Sequence, residues 1–234
     1  MSLAASSFEE SRSTPVYKPG PQAPVPSPLR RARTAARALY TLSRDSGRLD
    51  QVLALNVSVN LGTAQRGVRE LAQTEEGRAL FEKRPRIDSA SVDLEALARL
   101  PDGTLGREYI RFLTDNKITP DVFCDIPEVG DERAAYLVMR LRQTHDLWHV
   151  VTGYKPNVEG EILLQAFTFG QTKAPSAALI TSLGTARHFA LRPSHYRRVR
   201  QAYLQGLRAR SLATFPWEQH WEKTVAEVSA LLNL

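Results

Sequence analysis

Apolar residues recur along most of this chain at intervals of three and four, the spacing that lines one face of a helix turning about 100° per residue. The pattern predicts helices over 30–44, 48–58, 62–73, 75–83, 92–99, 105–114, 131–152, 158–170, 176–190, 194–212 and 217–232. Alternation of β-branched and polar residues is never sustained, and no Asn-Gly or Asp-Gly pair joins two strand-like runs. Punctuation agrees: "RPRIDSASVDLEALARLPDGTLGREYIRFL" offers Asp and Ser caps, a Pro-Asp-Gly turn, then a new helix from Thr104. No internal repeat of solenoid length is present. The expected fold class is all-α, a single-domain helical bundle.

Composition sets the limits of that domain. Six of the 14 prolines fall between Pro15 and Pro28, so residues 1–29 are expected to form a Pro-rich flexible arm and residues 30–234 the helical domain. An apolar share of 42% is enough for a core. Cys124 is the only cysteine, which excludes an internal disulfide framework and suits a reducing compartment. No apolar run approaches the roughly 20 residues that span a bilayer, and nothing resembles a secretory signal. The stretch "RRARTAARALYTLSR" has the Arg content of an organelle-targeting helix, but Glu9 and Glu10 precede it and it sits late.

Charge is unevenly spread. The net charge is +6, yet no acidic residue occurs between Glu161 and Glu218, where Lys173, Arg187, Arg192, Arg197, Arg198, Arg200, Arg208 and Arg210 lie. A patch of one sign attracts phosphates or an anionic membrane surface; a solvated, solubilising helix face is the other reading. Nucleic acid is not an expected partner, because aromatic residues do not interleave with the arginines and no zinc-finger or RNA-recognition signature occurs.

One predicted helix, 131–152, carries polar chemistry on its apolar face. With His145 at zero on a helical projection, Val138 lies at about +20°, Leu141 at about −40°, His149 at about +40° and Thr152 at about −20°. Both histidines therefore share the core-facing stripe. Gly153 ends the helix, Pro156 turns the chain and Asn157 caps the next helix, which predicts an antiparallel hairpin. In such a hairpin His149 stands level with Glu161 and His145 with Gln165, and Glu161, Gln165 and Thr168 form a facing polar stripe. Histidines at i and i+4 can aim two nitrogens at one point, and a carboxylate from the neighbouring helix makes a third ligand. Asp146, about 100° around the helix, is either a fourth ligand or an outer partner of an imidazole. Such donors suit Zn2+ best, with Fe2+ and Mn2+ as alternatives. A hydrogen-bonded structural cluster without metal is the competing reading of the spacing alone.

The pattern H-D-x-x-H-x11-E, read as His145, Asp146, His149 and Glu161, resembles the signature of the family of the fourth protein of the ubiquinone (coenzyme Q) biosynthesis complex. The Arg-Pro-Arg-Ile entry, the Leu-Pro-x-Gly-x-Leu-Gly-Arg-Glu-Tyr run and the closing "WEQHWEKTVAEVSALL" resemble that family too, and the similarity covers residues 38 to 234. The resemblance implies a zinc-binding, lipid-binding peripheral membrane protein that holds a long isoprenoid tail. It implies metal-dependent (oxidative) decarboxylation of a polyprenyl-hydroxybenzoate ring, with Glu161 or Asp146 moving the proton. The expected partners are the polyprenylated aromatic intermediate, an anionic membrane surface, other ubiquinone-biosynthesis enzymes and a second copy in a homo-oligomer. The expected location is the inner face of the cytoplasmic membrane in a bacterium, or the matrix side of the mitochondrial inner membrane in a eukaryote. A non-catalytic scaffold presenting lipid-tailed intermediates is the alternative function.

Other residues read less sharply. His188, His195 and His220 match no ligand spacing. Arg107, Glu108 and Tyr109 could form a structural ion-pair group or bind a ring or headgroup. Trp148 and Tyr154 read as packing residues. Phe167, Phe169, Leu179, Leu183 and Leu204 fit either ordinary core or a tunnel for the tail. A His-Asp phosphohydrolase is an outside third reading, and it is counted against because no histidine precedes His145 and no aspartate follows Asp146.

Overall fold

A computed structural model describes residues 25–45, 48–123, 130–189 and 193–234; Cys124, Arg192 and most of the Pro-rich arm lie outside them. Helices begin where the sequence supplies caps. Ser27 accepts from Arg30 N at 3.3 Å and, with Pro28 in the first turn, opens α1 (Pro28–Arg44). Helix α2 spans Leu49–Leu71, and Thr74, Asp93 and Asp131 cap α3 (Glu75–Lys83), α4 (Leu94–Ala98) and α6 (Glu132–Gln143). Between the last two lies α5 (Leu105–Asn116). The chain continues as α7 (His145–Thr152), α8 (Val158–Thr172), α9 (Pro175–Phe189), α10 (Pro193–Arg208) and α11 (Val225–Leu231). No strand occurs among the described residues beyond an isolated bridge between Thr104 and Thr224, so the all-α class holds.

Four predicted boundaries are corrected. The two helices expected over 48–58 and 62–73 are one, α2: Asn60 bonds Asn56 (3.0 Å) and Ser176 (2.7 Å) with its side chain, so it does not compete with the backbone as a free Asn would. The single helix expected over 131–152 bends at Thr144 (φ −91°, ψ −5°), whose hydroxyl donates to Arg140 O at 2.9 Å. Helix α10 stops at Arg208 instead of continuing to 212, because Arg210 N donates to Leu232 O (2.9 Å) and Leu212 N to Gln171 Oε1 (3.0 Å). Residues 217–232 do not form one continuous helix. Leu105 N and Gly106 N take Lys223 O (2.7 Å) and Trp221 O (2.9 Å), leaving a 3-10 turn at Trp217–Gln219 and the short, box-capped α11.

The largest core gathers Leu105, Tyr109 and Leu113 of α5, Leu147, Trp148 and Val151 of α7, Leu164 and Phe167 of α8, and Leu212, Phe215, Trp217, Val228 and Leu232 of the C-terminal segment. Phe167 is thus core, while Leu183 is exposed. Helices α8 and α10 form the most extensive pair. Their backbones approach closely because Gly170 and Gly206 meet there: a Cβ on Gly206 would collide with Phe167 O, and one on Gly170 would lie 2.5 Å from Tyr203 O. Helix α2 packs on α6 and α9, α9 packs on α8, and α8 meets α7 beside their connecting loop. No extended contact joins α6 to α8. The predicted hairpin is therefore splayed, and α2 and α9 complete a ring around its open end.

Candidate metal centre

Helix α7 ends at Gly153 in the left-handed region (φ +71°), with Gly153 N bonded to His149 O at 2.9 Å. Asn157 then caps α8 by accepting from Gly160 N at 2.9 Å. Gly160 allows the loop to lie against the helix, since a Cβ there would collide with Lys155 O. The next residue, Glu161, is thereby set beneath α7.

Both histidines converge on it. His149 Nε2 lies 3.0 Å from Glu161 Oε1, and His145 Nε2 lies 3.7 Å from Oε2. One donor atom from each of the three residues falls within 4.8 Å of the others. His145 was expected level with Gln165; the structure brings it to Glu161 instead, because the splayed arms are close only near the loop. His149 is buried, with Nδ1 2.7 Å from Tyr154 O. That carbonyl can only accept, so Nδ1 carries a proton, and Nε2, which bonds Glu161 without a metal, is the nitrogen that would turn its lone pair to a divalent ion. Phe112 of α5 stacks on the His149 ring at 5.3 Å and 21°. Tyr154 and Phe112 are supports that sequence reading missed or took as plain packing; a backbone carbonyl leaves no residue-type signal.

Electrostatics follow from this burial. Burial pushes the Glu161 carboxyl up, but bonds from His145 and His149 outweigh it and hold the group well below the carboxylate range. Burial pushes His145 down, yet the bond and charge of Glu161 and the charge of Asp146 leave it raised. Asp146 is raised: burial dominates, His145 and His149 oppose, and Glu161 adds repulsion. Its carboxyl is not one of the three clustered donor groups. Burial raises the Tyr109 hydroxyl, and Asp146 is the largest of the neighbouring charges that add to that shift.

The remaining candidates have structural partners. Arg107 bonds Asp102 and Ala98 O, and Glu108 bonds Gly103 N (2.9 Å) and Arg111 (2.8 Å), so this group braces the Pro-Asp-Gly turn. His195 and Arg198 both pair with Glu159, the former at 3.3 Å. His220 stacks on Phe215. Tyr154 OH donates to Gln205 at 2.8 Å. No helix among the described residues is long and apolar enough to cross a membrane.

The family model for coenzyme Q (ubiquinone) biosynthesis protein Coq4 matches residues 24–234. A Danio rerio relative, ubiquinone biosynthesis protein COQ4 homolog, mitochondrial, is 38% identical over 164 residues, covering 68% of this chain and 59% of its own. The Coprinopsis cinerea ubiquinone biosynthesis protein COQ4, mitochondrial, is 32% identical over 229 residues (97% of this chain, 79% of its own). The Homo sapiens homolog is 33% identical over 216 residues (92% and 80%). Among solved structures, a Nostoc punctiforme protein assigned to ubiquinone biosynthesis superposes with a TM-score of 0.69 at 30% identity, covering 86% of this chain and 97% of its own.

Proposed function

The chain belongs to the coenzyme Q (ubiquinone) biosynthesis protein Coq4 family, a place in that pathway from which we propose that it is a metal-dependent carboxy-lyase acting on a polyprenylated hydroxybenzoate. The observation that carries this reading is the trio His145, His149 and Glu161, with donor atoms within 4.8 Å and one imidazole tautomer set by Tyr154 O. Two imidazole nitrogens and one carboxylate suit Zn2+, with Fe2+ or Mn2+ fitting less well, and three protein ligands leave a coordination position for substrate. A bound divalent ion supplies Lewis acidity that steadies negative charge on a ring oxygen.

The chain's own residues do the rest. The bond between the ring carbon and the carboxylate breaks, its electron pair stays on the ring, and a proton fills the position as carbon dioxide leaves. Asp146, raised by burial, retains a proton more readily than Glu161 and is the better donor. Glu161, held ionised by both imidazoles, orients the centre. The isoprenoid tail, an anionic membrane meeting the basic α9–α10 side, a second copy and other pathway enzymes are the partners this reading implies.

A non-catalytic scaffold is the second reading, favoured by exposed apolar side chains beside the basic stretch: Leu183, Tyr196 and Leu207. Glu161→Gln separates the two. Thermal stability, tail binding and carbon dioxide release are measured together on a carboxylated polyprenyl phenol, with and without oxygen. The enzyme reading expects a folded, tail-binding variant that has lost release. Release at the parent rate removes Glu161 from the chemistry, and a parent that releases none from a verified substrate favours the scaffold.

A further inference from the structure

Arg142 stands on α6 one turn before His145. Helix α6 passes into α7 through the bend at Thr144, where Thr144 N bonds Arg140 O (3.0 Å) and Trp148 N bonds Thr144 O (3.1 Å). Helical projection then places Arg142 about 60° from His145 and about 20° from His149, on the same stripe as the two histidines. Its Nε and Nη2 are buried and have no hydrogen-bond partner among the described residues. No carboxylate among the described residues offsets the charge; burial pushes its pKa down to about 10, so it remains a cation at neutral pH. By contrast, the fully buried Arg140 on the same helix pairs with Glu218 and with Phe215 O.

A guanidinium with two buried, unpartnered nitrogens is costly, and a fold retains it where something else supplies the anion. Other polar groups of the helical ring are unfinished in the same way. Thr168 on α8 and Thr181 and Thr185 on α9 also have buried hydroxyls without partners, and α6, α8 and α9 all belong to the ring of helices that continues from the metal trio. Thr168 lies two turns beyond Glu161 on the same face, as Arg142 lies two turns before His149.

We propose that Arg142 is the binding residue for the carboxylate of an aromatic acid whose ring reaches the His145–His149–Glu161 centre. This rests on the reading of that trio as the reacting centre. A planar guanidinium with two free N–H groups accepts a carboxylate through paired bonds. Once carbon dioxide has left, the neutral phenol offers Arg142 no anion, so the site holds substrate more tightly than product. The carboxylate's charge moves to the ring as the bond breaks, so Arg142 holds the ground state more tightly than the transition state, and its loss raises KM without lowering kcat.

The test uses the metal-loaded full chain and two probes: 4-hydroxybenzoate bearing a short prenyl group, and the same prenylated phenol without the carboxyl. The parent is expected to prefer the acid. Arg142→Met is expected to bind the acid about tenfold to hundredfold more weakly, the scale of a lost charge-assisted hydrogen bond, while phenol affinity and metal content stay unchanged. Melting temperature should hold or rise, because an unpaired buried charge is removed; Arg142→Lys should recover part of the acid preference. Unchanged acid preference in Arg142→Met overturns the proposal, as does loss of metal and melting temperature together. Should the Met variant fail to fold, Arg142→Gln carries the same readouts. An Arg142-dependent acid preference in a parent that turns over no substrate keeps the anion site and defeats the carboxy-lyase reading. Turnover with an unchanged KM in Arg142→Met does the reverse.

Discussion

His149→Ala removes the side chain on which the centre's geometry depends, and its cost can be worked from the contacts. The bond from Nδ1 to Tyr154 O contributes about 1 kcal/mol net. The stacked Phe112 ring contributes about 0.5–1.5 kcal/mol, and truncating a side chain only 3% exposed adds a cavity cost of about 1 kcal/mol. The link to Glu161 is discounted, since that side chain is 43% exposed. The total is about 3 kcal/mol, which in a chain of this size lowers the melting temperature by about 6–12 °C. Ala is a better helix former than His, so α7 should persist and circular dichroism change little. Elemental analysis should find about one divalent ion per parent chain and far less in the variant. A chelator should lower the parent's melting temperature, by up to about 4 kcal/mol of linkage when metal exceeds Kd a thousandfold, and leave the variant's unmoved. Phe112→Leu serves as the control that weakens packing and keeps the metal. Full metal occupancy in His149→Ala would falsify the ligand assignment.

Two further outcomes are expected. In the metal-free protein, His145 is raised, so its stabilisation is complete below its unfolded value near 6.5 and is lost as pH climbs through the folded one; Glu161 is lowered, so its share appears above about 4.5. Protons compete with metal for His145 Nε2, so the chelator-induced drop in melting temperature should grow from pH 6 to pH 8; a drop that shrinks over that range contradicts the assignment. Gly206→Ala should destabilise by about 1–3 kcal/mol or more, since backbone rather than a flexible side chain meets the new Cβ. An unchanged melting temperature there would show that α8 and α10 can separate freely.

The sequence by itself determined what depends on neighbours along the chain. Helical periodicity, the caps at Asp93 and Asn157, and the helix-ending Gly153 are local, so the all-α class and most helices were legible. The motif His145–Asp146–His149–Glu161 was legible for the same reason, being a helix, a short loop and a helix. Tertiary structure alone decided where distant groups compete with those local preferences. Trp221 O and Lys223 O are taken by the N-terminus of α5, which unwinds a stretch whose periodicity favoured a helix. Asn60 is drawn to Ser176, which keeps α2 continuous. The splay of the hairpin, set by α8 packing on α9 and α10 while α7 packs on α5, brought His145 to Glu161. The unpaired state of Arg142 was equally invisible beforehand. Periodicity says which face a residue occupies, whereas a missing partner exists only once every other helix has taken its place.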